Sequence, residues 1–142
     1  MIAKQLSVFI ENRKGRLGEV LSVLKQNKIN ILSLSLADTT EYGLLRLIVS
    51  DEKLSKSKLL EAGFSTILTD VLVVKISHET GSLQGLLAVL SENDINVEYM
   101  YGLSVKDVNA FVVLKPSDLT KAEKIISDCN VKTVSSEEIA NI

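Results

Sequence analysis

Apolar residues follow two different spacings along this chain. Leu6-Ser7-Val8-Phe9-Ile10 is a mostly apolar run of strand length and reads as a central β-strand. Leu17, Val20, Leu21 and Leu24 then fall at i, i+3, i+4 and i+7, which is one face of a helix. That helix is expected to run to about Lys28. Asn27 and Lys28 read as its exit, because asparagine tolerates the left-handed conformation. Ile29-Asn30-Ile31 opens a second strand that continues through Leu32, Leu34 and Leu36. Asp38 to Gly43 is turn-rich. Leu44 to Ser50 is a third strand. Asp51 to about Ala62 is a short Lys- and Ser-rich helix closed by Gly63, and Phe64 to Thr69 is a fourth strand.

The pattern then restarts with no linker. Val71 to Ile76 is a strand, and Leu83, Leu86, Leu87 and Leu90 repeat the helical spacing. Asp94-Ile95-Asn96-Val97 matches Lys28-Ile29-Asn30-Ile31, and a strand follows to about Leu103. Asn109 to Lys115 is the third strand again. Pro116-Ser117-Asp118 leads into a helix from Leu119 to Asp128, with Ser117 as the expected cap. Val131 to Val134 is the last strand; Ser135 to Ile142 carries no clear pattern. Laying residues 5–31 on 71–97 at a shift of 66 gives 11 identities in 27. The third strands are expected to realign at a shift of 65. Such a repeat, in helical phase, predicts two copies of one unit. Each copy reads β-α-β-β-α-β, and right-handed crossovers turn that into a four-stranded antiparallel sheet with two helices. The predicted fold class is α+β: two ferredoxin-like βαββαβ units, residues 1–70 and 71–142, their antiparallel sheets side by side with helices on one face.

Composition narrows the function. Hydrophobic residues make up 46% and charged residues 24% of the 142 residues, a globular mixture. The net charge of −2 offers no electrostatic footprint for nucleic acid or an anionic membrane. No apolar run has the length of a spanning helix. Met1 to Lys4 leads straight into a strand pattern, so no signal peptide is expected and the cytoplasm is the default. One cysteine, Cys129, cannot form an internal disulfide. A lone cysteine of this kind is expected to be a small buried hydrophobe rather than a nucleophile paired with His78. One His and one Cys cannot make a zinc cluster, and no phosphate-loop or metalloprotease pattern is present. No catalysis, cofactor or metal is expected.

The chemistry left is in the loops after each copy's first strand: Asn12-Arg13-Lys14-Gly15-Arg16-Leu17, and His78-Glu79-Thr80-Gly81-Ser82-Leu83. Glycine there permits a positive φ or a close backbone approach. The next residues begin a helix, whose first N–H groups lack internal acceptors and suit a carboxylate. Asn12 and Asn30 offer both donor and acceptor to an amino acid. The alternative is that glycine only makes the turn and asparagine only caps it.

Asn12, Gly15, Leu17 and Ile29-Asn30-Ile31 in the first copy, with Gly81, Leu83 and Ile95-Asn96-Val97 in the second, give the chain its resemblance to the ACT domain family of small-molecule regulatory modules. The resemblance covers nearly the whole chain. It implies an amino acid or similar small effector, bound where Asn12 to Leu17 (including Arg13, Lys14 and Arg16) face Asn96 and Val97. A second such site would set His78, Thr80, Gly81, Ser82 and Leu83 against Asn30 and Ile31. The proline that ACT loops often carry before the glycine is replaced by Lys14 and Thr80, and His78 replaces the first asparagine.

The loops differ in charge. Arg13, Lys14 and Arg16 stand at a helix N-terminus, where the dipole disfavours cations, whereas the second loop places Glu79 and Thr80 there. A local rule broken in this way points to loop one as the stronger anion site; the alternative is that the three side chains splay into water. Tyr99 and Tyr101 share one strand face and are candidates for homodimerisation, or are ordinary partly exposed strand residues. Two readings follow, beside a third of an enzyme. One is a stand-alone ligand-binding regulatory module, with a metabolic enzyme as a candidate partner. The other is an interaction module that regulates a partner enzyme with no ligand.

Overall fold

The computed structural model describes residues 1–38 and 41–142. The middle of the turn expected from Asp38 to Gly43 lies outside the described residues. The elements, in order, are β1 (Ala3–Glu11), α1 (Arg16–Gln26), β2 (Ile31–Asp38), β3 (Tyr42–Val49), α2 (Glu52–Glu61), β4 (Thr66–Ile76), α3 (Ser82–Glu92), β5 (Val97–Leu103), β6 (Ala110–Pro116), α4 (Leu119–Asp128), β7 (Lys132–Val134) and α5 (Ser136–Ala140). The chain divides into two compact units. One is Lys4–Thr69; the other is Asp70–Ile142 together with Met1–Ala3. The strands expected at Phe64–Thr69 and Val71–Ile76 are one strand, β4, which crosses the division. No glycine or proline lies between Phe64 and Ile76 to break it.

In the first unit the strands run β2-β3-β1, followed by the leading part of β4. In the second they run β5-β6-β4-β7. Both are antiparallel sheets in the order that two right-handed βαβ crossovers demand, so each unit is ferredoxin-like. Leu6, Val8 and Ile10 of β1 alternate inward and meet Leu45 and Leu47 of β3, Val20 and Leu24 of α1, and Leu59 of α2. Leu72 and Val74 of β4 take the same places in the second unit, against Val112, Leu114, Leu86, Leu90 and Ile126. The helical stripe read from the sequence is the buried one: Val20, Leu24, Leu86 and Leu90 face the core.

The helix ends explain several local choices. α1, α2, α3 and α4 each stop at a residue of positive φ: Lys28, Gly63, Asp94 and Asn130. The following apolar residue then donates its N–H to a carbonyl five residues back, as in Ile29 to Leu24 and Ile95 to Leu90. This is the Schellman closure. Asn27 is therefore not the left-handed residue, since its φ is −98°; its side chain instead donates to the Val23 carbonyl. Ser117 is not the cap of α4. Asp118 accepts from the Lys121 N–H, as Asp51 accepts from the Leu54 N–H at α2. Ser117 accepts instead from the Asn96 N–H, as Ser50 does from Asn30.

These pairs correct the register of the repeat. Leu6 pairs with Leu47 and Leu72 with Leu114; Ile10 pairs with Gly43 and Ile76 with Ala110. The third strands thus match at a shift of 67, not 65, because the preceding turn is one residue longer in the second copy. Cys129, at the end of α4, is exposed rather than buried. The patternless tail forms α5, held by a capping box between Ser135 and Glu138. Its Glu137, Glu138 and Asn141 share a hollow with Lys75 and Phe111, on the face away from α3 and α4.

Candidate functional site

Both glycine loops end in the same backbone geometry. Gly15 has φ +89° and Gly81 φ +88°, each directly before the first helical residue. Neither could carry a side chain without left-handed strain. Glycine also brings no side-chain acceptor. The other three helices start on Asp51, Asp118 and Ser135, each of which accepts from a backbone N–H of the first turn. At α1 and α3 those amides stay open. The Ser82 N–H reaches the Glu79 carbonyl at 3.2 Å. The N–H groups of Leu83 and Gln84 have no acceptor among the described residues, nor do those of Leu17 and Gly18.

What surrounds those amides differs between the units. The second loop borders a cavity of about 730 Å³. His78, Glu79, Gly81, Ser82 and Leu83 line it, together with Ser77, Gln84, Leu87, Ala88, Ile76 and Ala110. The Ser77 and Ser82 hydroxyls are 2.7 Å apart. Thr80 is exposed and lies off the wall. The first loop borders a hollow of only about 90 Å³, lined by Asn12, Arg13 and Leu17 with Ile10, Leu36 and Gly43 among others. Lys14, Gly15 and Arg16 are not on its wall.

The basic residues of loop one are mostly spoken for. Arg13 donates through Nε to Glu11 at 2.8 Å. That hydrogen bond, with the charge behind it, holds the Glu11 carboxyl below its usual range. Arg16 folds back onto the protein. Its guanidinium lies 4.3 Å from the centre of the Phe64 ring, pairs with Glu19, and stands 3.9 Å from Glu11. Lys14 alone is exposed with no partner among the described residues.

Asn30, Ile31, Asn96 and Val97 are not beside the loop of their own unit. The Asn12 N–H donates to the Glu41 carbonyl, which sets loop one at the β2–β3 turn. Asn30 precedes the other end of β2, where its backbone N–H and carbonyl both bond Ser50. Asn96 does the same with Ser117. Their backbones fasten the start of β2 and β5 to the turn before α2 and α4. Tyr99 and Tyr101 are half-buried on β5 and point away from Met100, which packs on the core. Among the described residues, no group of three or more His, Cys, Asp or Glu side chains is placed to hold a metal ion. No described helix is long and apolar enough to cross a membrane.

Sequence reasoning missed Ile76, Ser77, Gln84, Leu87, Ala88 and Ala110. Leu87 and Ala88 could have been found: they lie one helical turn beyond Leu83 and Gln84, on the same side of α3.

Two ferredoxin-like units in one chain, each opening a helix at a left-handed glycine with no side-chain cap, define a duplicated module built around a glycine loop. The chain belongs to the ACT domain pair family, whose model matches residues 1–142. An ACT domain pair is a regulatory module. Among solved structures, the chain is similar to a protein from Bacteroides thetaiotaomicron at 34% identity. That match covers 100% of this chain and 98% of the other, with a TM-score of 0.93. It also resembles the ligand-free regulatory subunit of aspartate kinase from Thermus thermophilus, at 12% identity, 89% and 95% coverage, and a TM-score of 0.61. The corresponding subunit from Thermus flavus matches at 15% identity, 91% and 96% coverage, and a TM-score of 0.59. At those identities the two kinase subunits share the fold. No curated protein matches the chain.

Proposed function

We propose that this protein is a non-catalytic regulatory module of the cytoplasm that binds an amino acid or a similar small carboxylate at its second glycine loop. One observation carries the reading. Leu83 and Gln84, whose amides are open at the N-terminus of α3, both line the 730 Å³ cavity. Unpaired N–H groups and the helix dipole together suit a carboxylate. The Ser77 and Ser82 hydroxyls, with Glu79, supply acceptors for an ammonium group. The volume falls within the usual range for small-molecule sites. Loop one is the weaker site, because Arg13 and Arg16 already pair with Glu11 and Glu19 and the hollow beside them holds far less. This reverses the ranking that the charges alone suggest. The regulatory aspartate kinase subunits that share the fold support a metabolic enzyme as the partner, to which a ligand-biased conformation would be read out.

A thermal-shift screen of the purified chain against the twenty amino acids tests the reading. A ligand that binds only the folded state raises the melting temperature with concentration. A rise with at least one amino acid, abolished by a bulky residue in the cavity, is the expected result; no rise with any would overturn it.

A second reading is an interaction module that acts without a ligand. Phe9, Tyr42 and Ile67, on the helix-free face of the first unit, are 42%, 48% and 50% exposed. Apolar area of this kind suits a protein partner or a second copy. Phe9→Ser combined with Ile67→Ser separates the readings. Loss of a partner enzyme's regulation with ligand binding intact favours interaction.

A further inference from the structure

The two hollows, of about 730 and 90 Å³, differ in one pair of equivalent residues close to them. Leu36 on β2 pairs with Leu45, and Gly102 on β5 pairs with Val112. Leu45 and Val112 are equivalent, since each pairs with the same position of its unit's first strand, Val8 and Val74. Leu36 and Gly102 therefore occupy the same place, both on the helix side of the sheet. In the first unit the Leu36 side chain leans over Gly43: a Cβ added there would lie 3.2 Å from Leu36 Cδ1. Leu36 also lines the 90 Å³ hollow. In the second unit that side chain is missing. No atom lies within 4 Å of where a Cβ of Gly102 would stand, and Ala110, the equivalent of Gly43, is part of the open wall.

We infer that Gly102 makes the second unit's cavity a pocket for an apolar ligand side chain, filled in the first unit by Leu36 itself. The inference rests on the amino-acid reading above and adds the class of side chain. The wall away from the loop is built from Ile76, Leu83, Leu87, Ala88 and Ala110. Leu87 and Ala88 lie one turn, about 5.4 Å, along α3 from Leu83 and Gln84. An amino acid whose carboxylate meets the first turn thus projects its side chain over methyl and methylene groups. No Lys or Arg lines this cavity among the described residues, so a side-chain carboxylate has no cation to meet. The titratable residues on the wall, His78 and Glu79, are exposed loop residues. Leu36, 49% exposed, is an apolar side chain standing at the matching place of the first unit.

The test is calorimetric titration of the full chain with glycine, alanine, leucine, phenylalanine, aspartate and lysine, repeated on Gly102→Leu and Ala88→Leu. Leucine or phenylalanine should bind roughly tenfold or more tighter than alanine, as burying several further carbons implies. Aspartate and lysine should bind no better than glycine. Gly102→Leu should weaken the large apolar ligands at least tenfold and leave alanine within about threefold. Its far-UV dichroism should be unchanged, since the added side chain enters open space. Ala88→Leu, which fills the cavity from the helix, should act in the same direction. Tightest binding of aspartate or lysine, or wild-type affinities in both filled variants, overturns the inference and leaves the amino-acid reading standing. Binding of none of the six overturns both.

Discussion

Two glycines four residues apart in the second unit should respond to the same substitution with opposite signs. Gly81 stands just before α3 at φ +88°, whereas Gly85 is inside the helix with an ordinary φ. No atom lies within 4 Å of a Cβ built at either, so steric contact drops out of the comparison. Replacing glycine by alanine lowers unfolded-chain entropy at both positions, a stabilisation of about 0.5–1 kcal/mol. At Gly81 the left-handed conformation then costs an L-residue about 1–2 kcal/mol. Gly85→Ala should therefore stabilise the protein by about 0.5–1 kcal/mol. Gly81→Ala should destabilise it, and the two variants should differ by about 1–2 kcal/mol. Urea unfolding followed by circular dichroism measures this. With a slope of about 2 kcal/mol per molar, the midpoints should separate by roughly 0.5–1 M. Equal midpoints would refute the reasoning, because the left-handed turn would then not be what requires glycine at the loop.

Other expectations concern the supporting structure. Asp118→Ala should cost about 1 kcal/mol through loss of the α4 cap, visible as a lower urea midpoint, while Ser117→Ala should leave the cap intact. Asp107 accepts hydrogen bonds from the backbone N–H and side-chain amide of Asn109 and lies 3.6 Å from Lys75, so its carboxyl titrates below its usual range. Its contribution to stability is therefore present above about pH 4 and lost as the pH falls through the depressed value. Asp107→Asn should flatten the acid limb of a stability-versus-pH curve; an unchanged limb would contradict that linkage.

The architecture was legible because the two hydrophobic periods were clean and repeated in phase. Leu6, Val8 and Ile10 on one side, and Leu86 and Leu90 on the other, are buried as their spacing requires. The third-strand register was misread because apolar residues fill that strand on both faces, so Leu44 to Ile48 slides against Ala110 to Leu114 without obvious penalty. Ser50-Asp51 and Ser117-Asp118, set 67 residues apart and both leading into a helix, carry the correct alignment. The contrast between the loops reads differently once the partners of the basic residues are known. Counting charges takes no account of where they go, and Glu11 and Glu19 sit within reach of Arg13 and Arg16. The cavity was legible only in retrospect. The inference about it rests on glycine at 102 where the first copy has Leu36, a difference visible at the shift of 66 but meaningless until strand pairing sets Leu36 opposite Leu45 and Gly102 opposite Val112.

The central claim is that the second loop, and not the first, grips a small carboxylate through the N-terminus of α3. Amide NMR of the nitrogen-15-labelled chain, titrated with the twenty amino acids singly at millimolar concentration, tests this most directly. The largest shifts are expected at Ser82, Leu83 and Gln84 for at least one amino acid, with Arg16, Leu17 and Gly18 nearly still. Shifts centred on Arg16 to Gly18, or none in either loop, would contradict it.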